Sequence, residues 1–302
     1  MPSFSIRIDE DKCAECGLCA KDCVNCCIMM ENDKPAVKNP QWCNRCSHCV
    51  AVCPVEAVVH EGLQGQAWRP VRREKLDPES CREIVMTRRS VRWYKPEPVA
   101  REEIEDILNL AAYSPTASNT MDVAYSVITD RELIQKTGRK VFATAEKIEA
   151  ALHKPWGKAI YRVIRLWAPQ LNLDRYLDRF EIYKSWVREG RDMILHNAPA
   201  LVVIHGPIKG RFVRENCGIA AANLTNYAHA KGLGTCYLGL LMVALDRSRK
   251  LATQLGVPKG RKACLALTLG RPDIKYQNTV IRPPASIAWV NEKPSPAGRD
   301  QP

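Results

Sequence analysis

Eight cysteines near the start of the chain have a spacing that suits iron–sulfur clusters. They form two runs of the pattern C-x2-C-x2-C-x3-C: Cys13, Cys16, Cys19 and Cys23, and then Cys43, Cys46, Cys49 and Cys53. Thiolates are soft ligands, and three closely spaced cysteines can bind three corners of one cubane, while the fourth ligates the other cluster. The pattern therefore predicts two [4Fe–4S] clusters, one on Cys13, Cys16, Cys19 and Cys53, and one on Cys43, Cys46, Cys49 and Cys23.

Other interpretations of the cysteines remain open at two points. A single C-x2-C pair could be half of a zinc site or a redox pair, although the duplication of a whole run favours clusters. Pro54 follows the last cysteine of the second run, whereas Val24 follows Cys23. Cys26 and Cys27 supply further thiols close by, so the fourth ligand of the second cluster is not fixed by spacing alone.

Length and charge set the class of protein that we expect. The chain has 302 residues and a formal net charge of +12. It starts with polar residues and has no run of eighteen apolar ones, so we expect a cytoplasmic protein with no membrane span. A basic surface can attract an acidic electron donor such as a ferredoxin or a flavodoxin. No nucleic-acid motif is present, and we expect no nucleic-acid partner.

The elements that must position these residues fall into two groups. Short strands at 6–9, 35–38 and 55–60 surround the cysteine runs, which predicts a domain over residues 1–62. A linker is expected at 63–76. From 77 to 302, alternating helices and strands predict a larger domain, so that the fold class is α+β. Residues 139–191 are expected to be helical, divided at Pro155 and Pro169, and Asp77 and Asp246 are predicted helix N-caps.

A second candidate site lies at the end of the first predicted helix of the larger domain. Arg88, Arg89 and Arg92 surround Ser90. Guanidinium groups and a hydroxyl that converge on one point suit a phosphate group. Taken alone, the cluster could also be a solvated basic helix end.

The wider context of this cluster resembles a known family. Residues 88–94 (RRSVRWY) are followed by 114–119 (SPTASN), 197–200 (NAPA), 231–235 (KGLGT) and 269–272 (LGRP). In this order and at these intervals they resemble the FMN-dependent nitroreductase family over about residues 80–285. Together with the cysteine runs, the whole chain resembles ferredoxin-fused nitroreductases of anaerobic bacteria and archaea. The resemblance implies an N-terminal dicluster ferredoxin-like domain, followed by a nitroreductase-like α/β FMN domain with a helical insertion at about 139–191.

The same resemblance implies roles for individual residues. Arg88, Ser90 and Arg92 would bind the FMN phosphate and ribityl chain, with Arg89 beside them. The residues expected to line the flavin ring are Pro115, Thr116, Ala117, Ser118 and Asn119, and those expected to place backbone near it are Tyr237, Leu238 and Gly239. Arg282 would be a further phosphate-binding base, although Val280 occupies a position that is often basic in the family. The resemblance also implies a homodimer with FMN at the subunit interface, and an insertion that covers the flavin.

Two functions remain open on these grounds. The first is a reductase that passes electrons from an external donor such as a ferredoxin through the clusters to FMN and then to a small electron-poor molecule. In a variant of it, NAD(P)H supplies the electrons and the clusters send them outward. The second is an electron carrier or redox sensor without a small substrate.

His196 and His205 flank an apolar strand and are interpreted as core or edge residues. Gly232 and Gly234 are interpreted as a helix end and a tight turn, and no residue is nominated as catalytic.

Overall fold

The first sixty residues form a small unit with two antiparallel ribbons. The computed structural model describes residues 4–63, 69–167, 177 and 179–290. The elements of this unit are β1 (Ile6–Ile8), α1 (Leu18–Lys21), β2 (Ile28–Glu31), β3 (Lys34–Val37), α2 (His48–Val52) and β4 (Val58–His60). β1 pairs with β4, and β2 pairs with β3. The last predicted strand, 55–60, is shorter than expected because Glu56 adopts a left-handed conformation (φ 55°) and ends the turn that precedes it.

The larger part of the chain contains eight helices and four strands within the described residues. They are α3 (Pro78–Thr87), α4 (Arg101–Ala111), β5 (Ala124–Ile128), α5 (Arg131–Leu152), α6 (Pro155–Trp167), α7 (Phe180–Arg188), β6 (Ala200–Pro207), α8 (Val213–Ala230), β7 (Gly234–Tyr237), α9 (Gly239–Arg247), α10 (Arg249–Gln254) and β8 (Arg261–Gly270). The four strands form one sheet in the order β5-β6-β8-β7. Every neighbouring pair in it is antiparallel.

The central strand β6 is apolar because both faces of the sheet are covered by helices. Leu201 and Val203 pack on one face, in a core built with residues of α5, α9 and α10. Val202 and Ile204 pack on the other face, against α4 and α8. A strand buried on both faces needs a continuous apolar run instead of an alternating one. The run from residue 200 to 205 was predicted as a buried strand on that ground, and the prediction is confirmed.

Of the two predicted helix N-caps, one is confirmed and one is wrong. Asp77 caps α3, since its carboxylate accepts hydrogen bonds from the backbone N–H groups of Glu79 and Ser80. This prediction is confirmed. The predicted cap at Asp246 is wrong, because Asp246 lies inside α9. The next helix, α10, is instead capped by Ser248, whose hydroxyl accepts from the backbone N–H of Leu251.

The helical segment after β5 begins earlier than the sequence suggested. Asp130 caps α5, so residue 139 lies well inside this helix. Pro155 stands at the first position of α6, where a missing N–H costs nothing. The second predicted break, Pro169, lies outside the described residues, as do parts of the expected linker. Among the described helices, none combines the length and the apolar character needed to cross a bilayer.

A buried histidine makes the larger domain sensitive to acid. His205 is 3% exposed, and the β-bulge between Ile204 and His205 marks its position in β6. Arg261 Nε donates to His205 Nδ1 (2.8 Å), and Ser126 Oγ lies 3.0 Å from Nε2. Burial, and secondly Arg261, lower the pKa of His205 to about 4.

We therefore expect the free energy of unfolding to fall as the pH drops from about 6.5 towards 4. The unfolded chain takes up the proton first, near the ordinary histidine pKa of about 6.5, so this stability is complete above that pH and is lost below it. The slope from one such group is at most about 1.4 kcal/mol per pH unit. Denaturant unfolding at several pH values measures it. His205→Gln should reduce the slope, whereas replacing the exposed His153 by glutamine should not; equal slopes in both variants would contradict the assignment.

Candidate cofactor sites

The cysteines of the two runs line two separate cavities. The first, here called the Cys13 cavity, is lined by Cys13, Cys16, Cys19 and Cys53. The second, called the Cys43 cavity, is lined by Cys23, Cys43, Cys46 and Cys49, together with Cys27. The structure thus brings together the same two groups of four that the spacing predicted. No group of three or more His, Cys, Asp or Glu in the described part of the chain converges on a single metal ion.

The two runs have the same backbone conformation at an offset of thirty residues. Left-handed φ values occur at Glu15 and Arg45 (53° and 57°) and again at Gly17 and Ser47 (67° and 62°). α1 starts directly after Gly17, and α2 starts directly after Ser47. Non-glycine residues adopt this conformation at a cost of roughly 1–2 kcal/mol. Repeated left-handed turns point to a geometry that is required at both runs.

The fourth cysteine of each run also occupies an equivalent position. The backbone N–H of Cys27 donates to Cys23 Sγ (3.2 Å), and the N–H of Ala57 donates to Cys53 Sγ at the same distance. Amide hydrogen bonds of this kind stabilise thiolates that bind an iron–sulfur cluster. Cys27 therefore takes the place of Ala57 in the repeat, which leaves Cys23 as the counterpart of Cys53.

Burial and crowding keep several of these thiols protonated when nothing cationic lies between them. Burial first, and then Cys23 and Cys43, raise the pKa of Cys27 to about 12. Burial, and then Cys46, raise the pKa of Cys49 to about 11. Thiolates in such a cavity need positive charge at its centre, which the iron of a bound cluster would supply. The donor set and its environment therefore fit iron–sulfur clusters.

The Cys43 cavity has one further side-chain contact. His60 Nε2 lies 3.2 Å from Cys43 Sγ. The imidazole is 9% exposed, and Phe4 stacks on it with a ring-centroid distance of 5.1 Å. His60 was not singled out from the sequence, because it stands seventeen residues from Cys43.

In the larger domain, the arginine–serine segment lies beside β7. The Val91 N–H donates to the Thr235 carbonyl (2.9 Å), and Ser90 forms a parallel bridge with Thr235. A Cβ on Gly234 would lie 2.6 Å from Val91 Cγ2, so the close approach requires glycine. Gly232 (φ 76°) ends α8, which confirms its interpretation as a helix end.

The four candidate residues of this segment do not share one environment. Burial raises the pKa of the Cys236 thiol, and Arg92, Ser90 and Arg88, which lie near this thiol, oppose that rise. Arg89 is turned elsewhere. Its guanidinium donates to the carbonyls of Met86, Arg88 and Asn278 at 2.9, 3.0 and 2.8 Å.

The candidate flavin-ring loop is held by a buried asparagine that the sequence analysis missed. Asn216 on α8 is 3% exposed. Its Oδ1 accepts from the Ala117 N–H (3.0 Å), and its Nδ2 donates to Asp122 Oδ1 (3.0 Å). Ser118 and Asn119 have left-handed φ values of 53° and 52°. No sequence signal indicates Asn216, since it is 99 residues from Ala117.

The same loop contacts the Cys43 cavity. Asn119 Nδ2 donates to the carbonyl oxygen of Asn44 at 2.9 Å. Asn44 lies between Cys43 and Cys46 and lines the cavity. The two candidate sites are therefore neighbours at this point.

The remaining candidates lie in two places. Tyr237, Leu238 and Gly239 join β7 to α9, and Leu238 N–H donates to the Ala266 carbonyl (3.0 Å). A Cβ on Gly239 would have no atom within 4 Å, so the backbone here faces open space. Arg282 is exposed. Among the described residues, no hydrogen bond or ion pair joins it, or the arginine segment, to the loop at 115–119.

An arginine connects the end of the helical segment 139–191 to the residue that follows the arginine–serine segment. The guanidinium of Arg191 lies 4.4 Å from the ring centre of Trp93 and 4.3 Å from that of Trp186. Burial, then Arg92 and Arg191, lower the pKa of His196 to about 4. Arg92 and Arg191 therefore both lie near His196, which is partly buried.

Comparison with known proteins gives a family for the larger domain. The model of the nitroreductase family matches residues 85–271, which is more than half of the chain. An Archaeoglobus fulgidus protein, provisionally named NADH dehydrogenase/NAD(P)H nitroreductase, is 24% identical over 194 residues, covering 64% of this chain and 86% of its own. A nitroreductase with bound FMN from Desulfitobacterium hafniense DCB-2 superposes with a TM-score of 0.50 at 18% identity, over 68% of this chain and 96% of that one.

The cysteine-rich unit is similar to a different protein. A ferredoxin from Methanothermococcus thermolithotrophicus is 40% identical over 60 residues. That match covers 18% of this chain and 93% of the ferredoxin.

Proposed function

We propose that this chain, which belongs to the nitroreductase family, is an FMN-dependent oxidoreductase fed with single electrons through two [4Fe–4S] clusters. One combination carries the proposal. The chain has two cavities that are each lined by four run cysteines, and a loop of the family-matched region contacts one of them. We further propose a ferredoxin-like domain at 1–62, a linker at 63–76 and an FMN domain at 77–302.

The cysteine cavities would hold the clusters. Cys13, Cys16, Cys19 and Cys53 would bind one, and Cys23, Cys43, Cys46 and Cys49 the other. Bound clusters supply one-electron transfer at low potential. The residues around them bury the thiolates and donate backbone N–H groups to Cys23 and Cys53. The identity with a ferredoxin over 60 residues supports this half of the proposal.

The larger domain would bind FMN. Arg88, Ser90 and Arg92 would hold the phosphate, because a guanidinium fork and a hydroxyl match its oxygens. Pro115, Thr116, Ala117, Ser118 and Asn119 would line the ring, and Tyr237, Leu238 and Gly239 would offer backbone to it. Bound FMN supplies the exchange between single electrons and a two-electron reduction. Arg89 is engaged with backbone carbonyls, so we assign it to holding the segment near Asn278.

We propose a small electron-poor molecule as substrate, such as a nitroaromatic, a quinone, an activated alkene or a haloaromatic. Reduction of a nitro group to a nitroso group takes two electrons and two protons and releases water. The electrons come from an external reduced carrier, and the protons come from solvent. The contact of Arg191 with Trp93 and Trp186 holds the insertion beside Arg92, which supports a role of the insertion in substrate choice.

We propose two partners, an electron donor and a second copy of this chain. A net charge of +12 suits an acidic ferredoxin or flavodoxin as donor, with NAD(P)H as the alternative. A second copy of the chain is supported by the exposed apolar side chains in the segment before residue 291. Ile281, Trp289 and Val290 are 99%, 69% and 94% exposed.

Anaerobic cofactor analysis of the full chain tests the proposal. We expect about eight irons, about eight sulfides and about one FMN per chain, with flavin and cluster absorbance both bleached by dithionite. Eight irons without flavin, after incubation with FMN, would contradict the flavoenzyme half. Flavin without iron after anaerobic reconstitution would contradict the cluster half.

A further inference from the structure

The two cysteine cavities are repeats of each other, but their side-chain surroundings differ. The Cys43 cavity has His60 at 3.2 Å from Cys43 Sγ. Thirty residues earlier, the position of His60 is occupied by Met30, which is 47% exposed and whose side chain has no N–H to donate. Within the described residues, no side chain hydrogen-bonds a thiol of the Cys13 cavity.

The hydrogen bonds of His60 define which ring nitrogen faces Cys43. The backbone N–H of Gly62 donates to His60 Nδ1 at 3.1 Å. A nitrogen that accepts a hydrogen bond carries no hydrogen, so in the neutral ring the hydrogen is on Nε2. Nε2 is therefore the donor and Cys43 Sγ the acceptor. Phe4 packs on the ring at 21° to the imidazole plane, while the bond from Gly62 sets which nitrogen faces Cys43.

A hydrogen bond donated to a cysteine sulfur that ligates a cluster changes how easily that cluster is reduced. It withdraws electron density from the thiolate and stabilises the reduced, more negative form of the cluster. The Cys43 cavity has this donor, and its counterpart does not. The cavity with the donor is also the one whose Asn44 carbonyl accepts from Asn119 in the candidate flavin loop.

We propose that His60 is a positioning residue that makes the two cavities unequal: its bond to Cys43 gives the cluster of the Cys43 cavity the higher reduction potential. A single electron delivered to the protein is then held beside the Asn119 loop, and the Cys13 cavity is the side that receives electrons from the external carrier. The inference rests on the proposed function, because both require bound clusters.

Redox titration of the anaerobically reconstituted full chain, followed by EPR, tests the inference. In wild type we expect two cluster midpoint potentials. His60→Leu removes the N–H and should lower the higher potential and leave the lower one in place. His60→Gln keeps an amide donor and should restore most of the difference. Phe4→Leu changes the packing but keeps the N–H, and should leave both potentials near their wild-type values.

A second set of variants determines which cavity responds. Cys16→Ala and Cys46→Ala each remove a ligand from one cavity. His60→Leu should lower the potential of the cluster that remains in Cys16→Ala, and should have no effect on the one that remains in Cys46→Ala. Unchanged potentials in His60→Leu, an equal shift of both, or a shift confined to the Cys46→Ala background would each overturn the inference. A chain that binds no iron would instead contradict the proposed function, so the two failures are distinct.

Discussion

Replacing Arg92 with alanine is expected to weaken FMN binding about 30-fold. Arg92, Ser90 and Arg88 lie near the Cys236 thiol of β7, and we assign the FMN phosphate to this segment. A hydrogen bond to a charged group contributes about 2 kcal/mol, which corresponds to that factor in Kd. Replacing Arg88 and Arg92 together should leave a chain that loses its flavin on gel filtration. Fluorescence titration of the apoprotein with FMN measures the single variant.

Arg89 offers a matched control for this prediction. It is adjacent in sequence and identical in type, but its guanidinium donates to Met86, Arg88 and Asn278 carbonyls. It also lies 5.8 Å from the Tyr276 ring centre. Arg89→Ala should leave the FMN Kd nearly unchanged and should make the segment around residue 278 easier to cleave by protease. If Arg89→Ala weakened FMN binding as much as Arg92→Ala, the assignment of the phosphate site would be wrong.

Replacing Asn216 with leucine is expected to have the second large effect. The side chain satisfies the Ala117 N–H and binds Asp122, and it does so at 3% exposure. Leucine would leave the partly buried Ala117 N–H and Asp122 carboxylate without this partner, at a cost below the roughly 1–3 kcal/mol of a fully buried polar group for each. The loop contains left-handed residues at 118, 119 and 121, which are unfavourable unless such bonds hold them. We expect the loop to relax and the affinity for FMN to fall at least about tenfold.

Asn223 provides the comparison for this variant. It lies seven residues further along α8, and its Nδ2 donates to Ser114 Oγ (2.8 Å) at the start of the same loop. Asn223→Leu removes one side-chain bond and leaves the Ala117 and Asp122 contacts intact. Its FMN affinity should stay within a few-fold of wild type. Thermal unfolding of both variants separates a loss of global stability from a local change, and equal FMN affinities in the two would contradict the role of Asn216.

The features that could be predicted from the sequence are those with local causes. Ligand spacing within a cysteine run is a property of a few residues, so the two groups of four could be predicted from the order of the cysteines along the chain. The cap at Asp77 is equally local, because its partners are two and three residues away. The continuous apolar run of β6 indicates a strand that is buried on both faces, whichever helices cover it, and so β6 could also be predicted.

The features that escaped prediction depend on distant partners or on competing local signals. Asn216 and His60 act on residues 99 and 17 positions away, and nothing in their own neighbourhoods marks them. The start of α10 was misplaced because both Asp246 and Ser248 are residue types that cap helices. Leu241 and Leu245 are both buried and lie four residues apart on one face of α9. Their burial favours a helix that extends past Asp246.

Each cysteine run places its fourth cysteine in the cavity of the other run, and this arrangement affects how the N-terminal unit would lose bound clusters. Cys53 lies in the Cys13 cavity, and Cys23 lies in the Cys43 cavity. Each run is therefore tied at its end to the other, so that emptying one cavity loosens the segment that carries the fourth cysteine of the other. Damage by oxygen at one cavity should therefore leave the second one occupied but more easily damaged, so that the second loss is faster than the first.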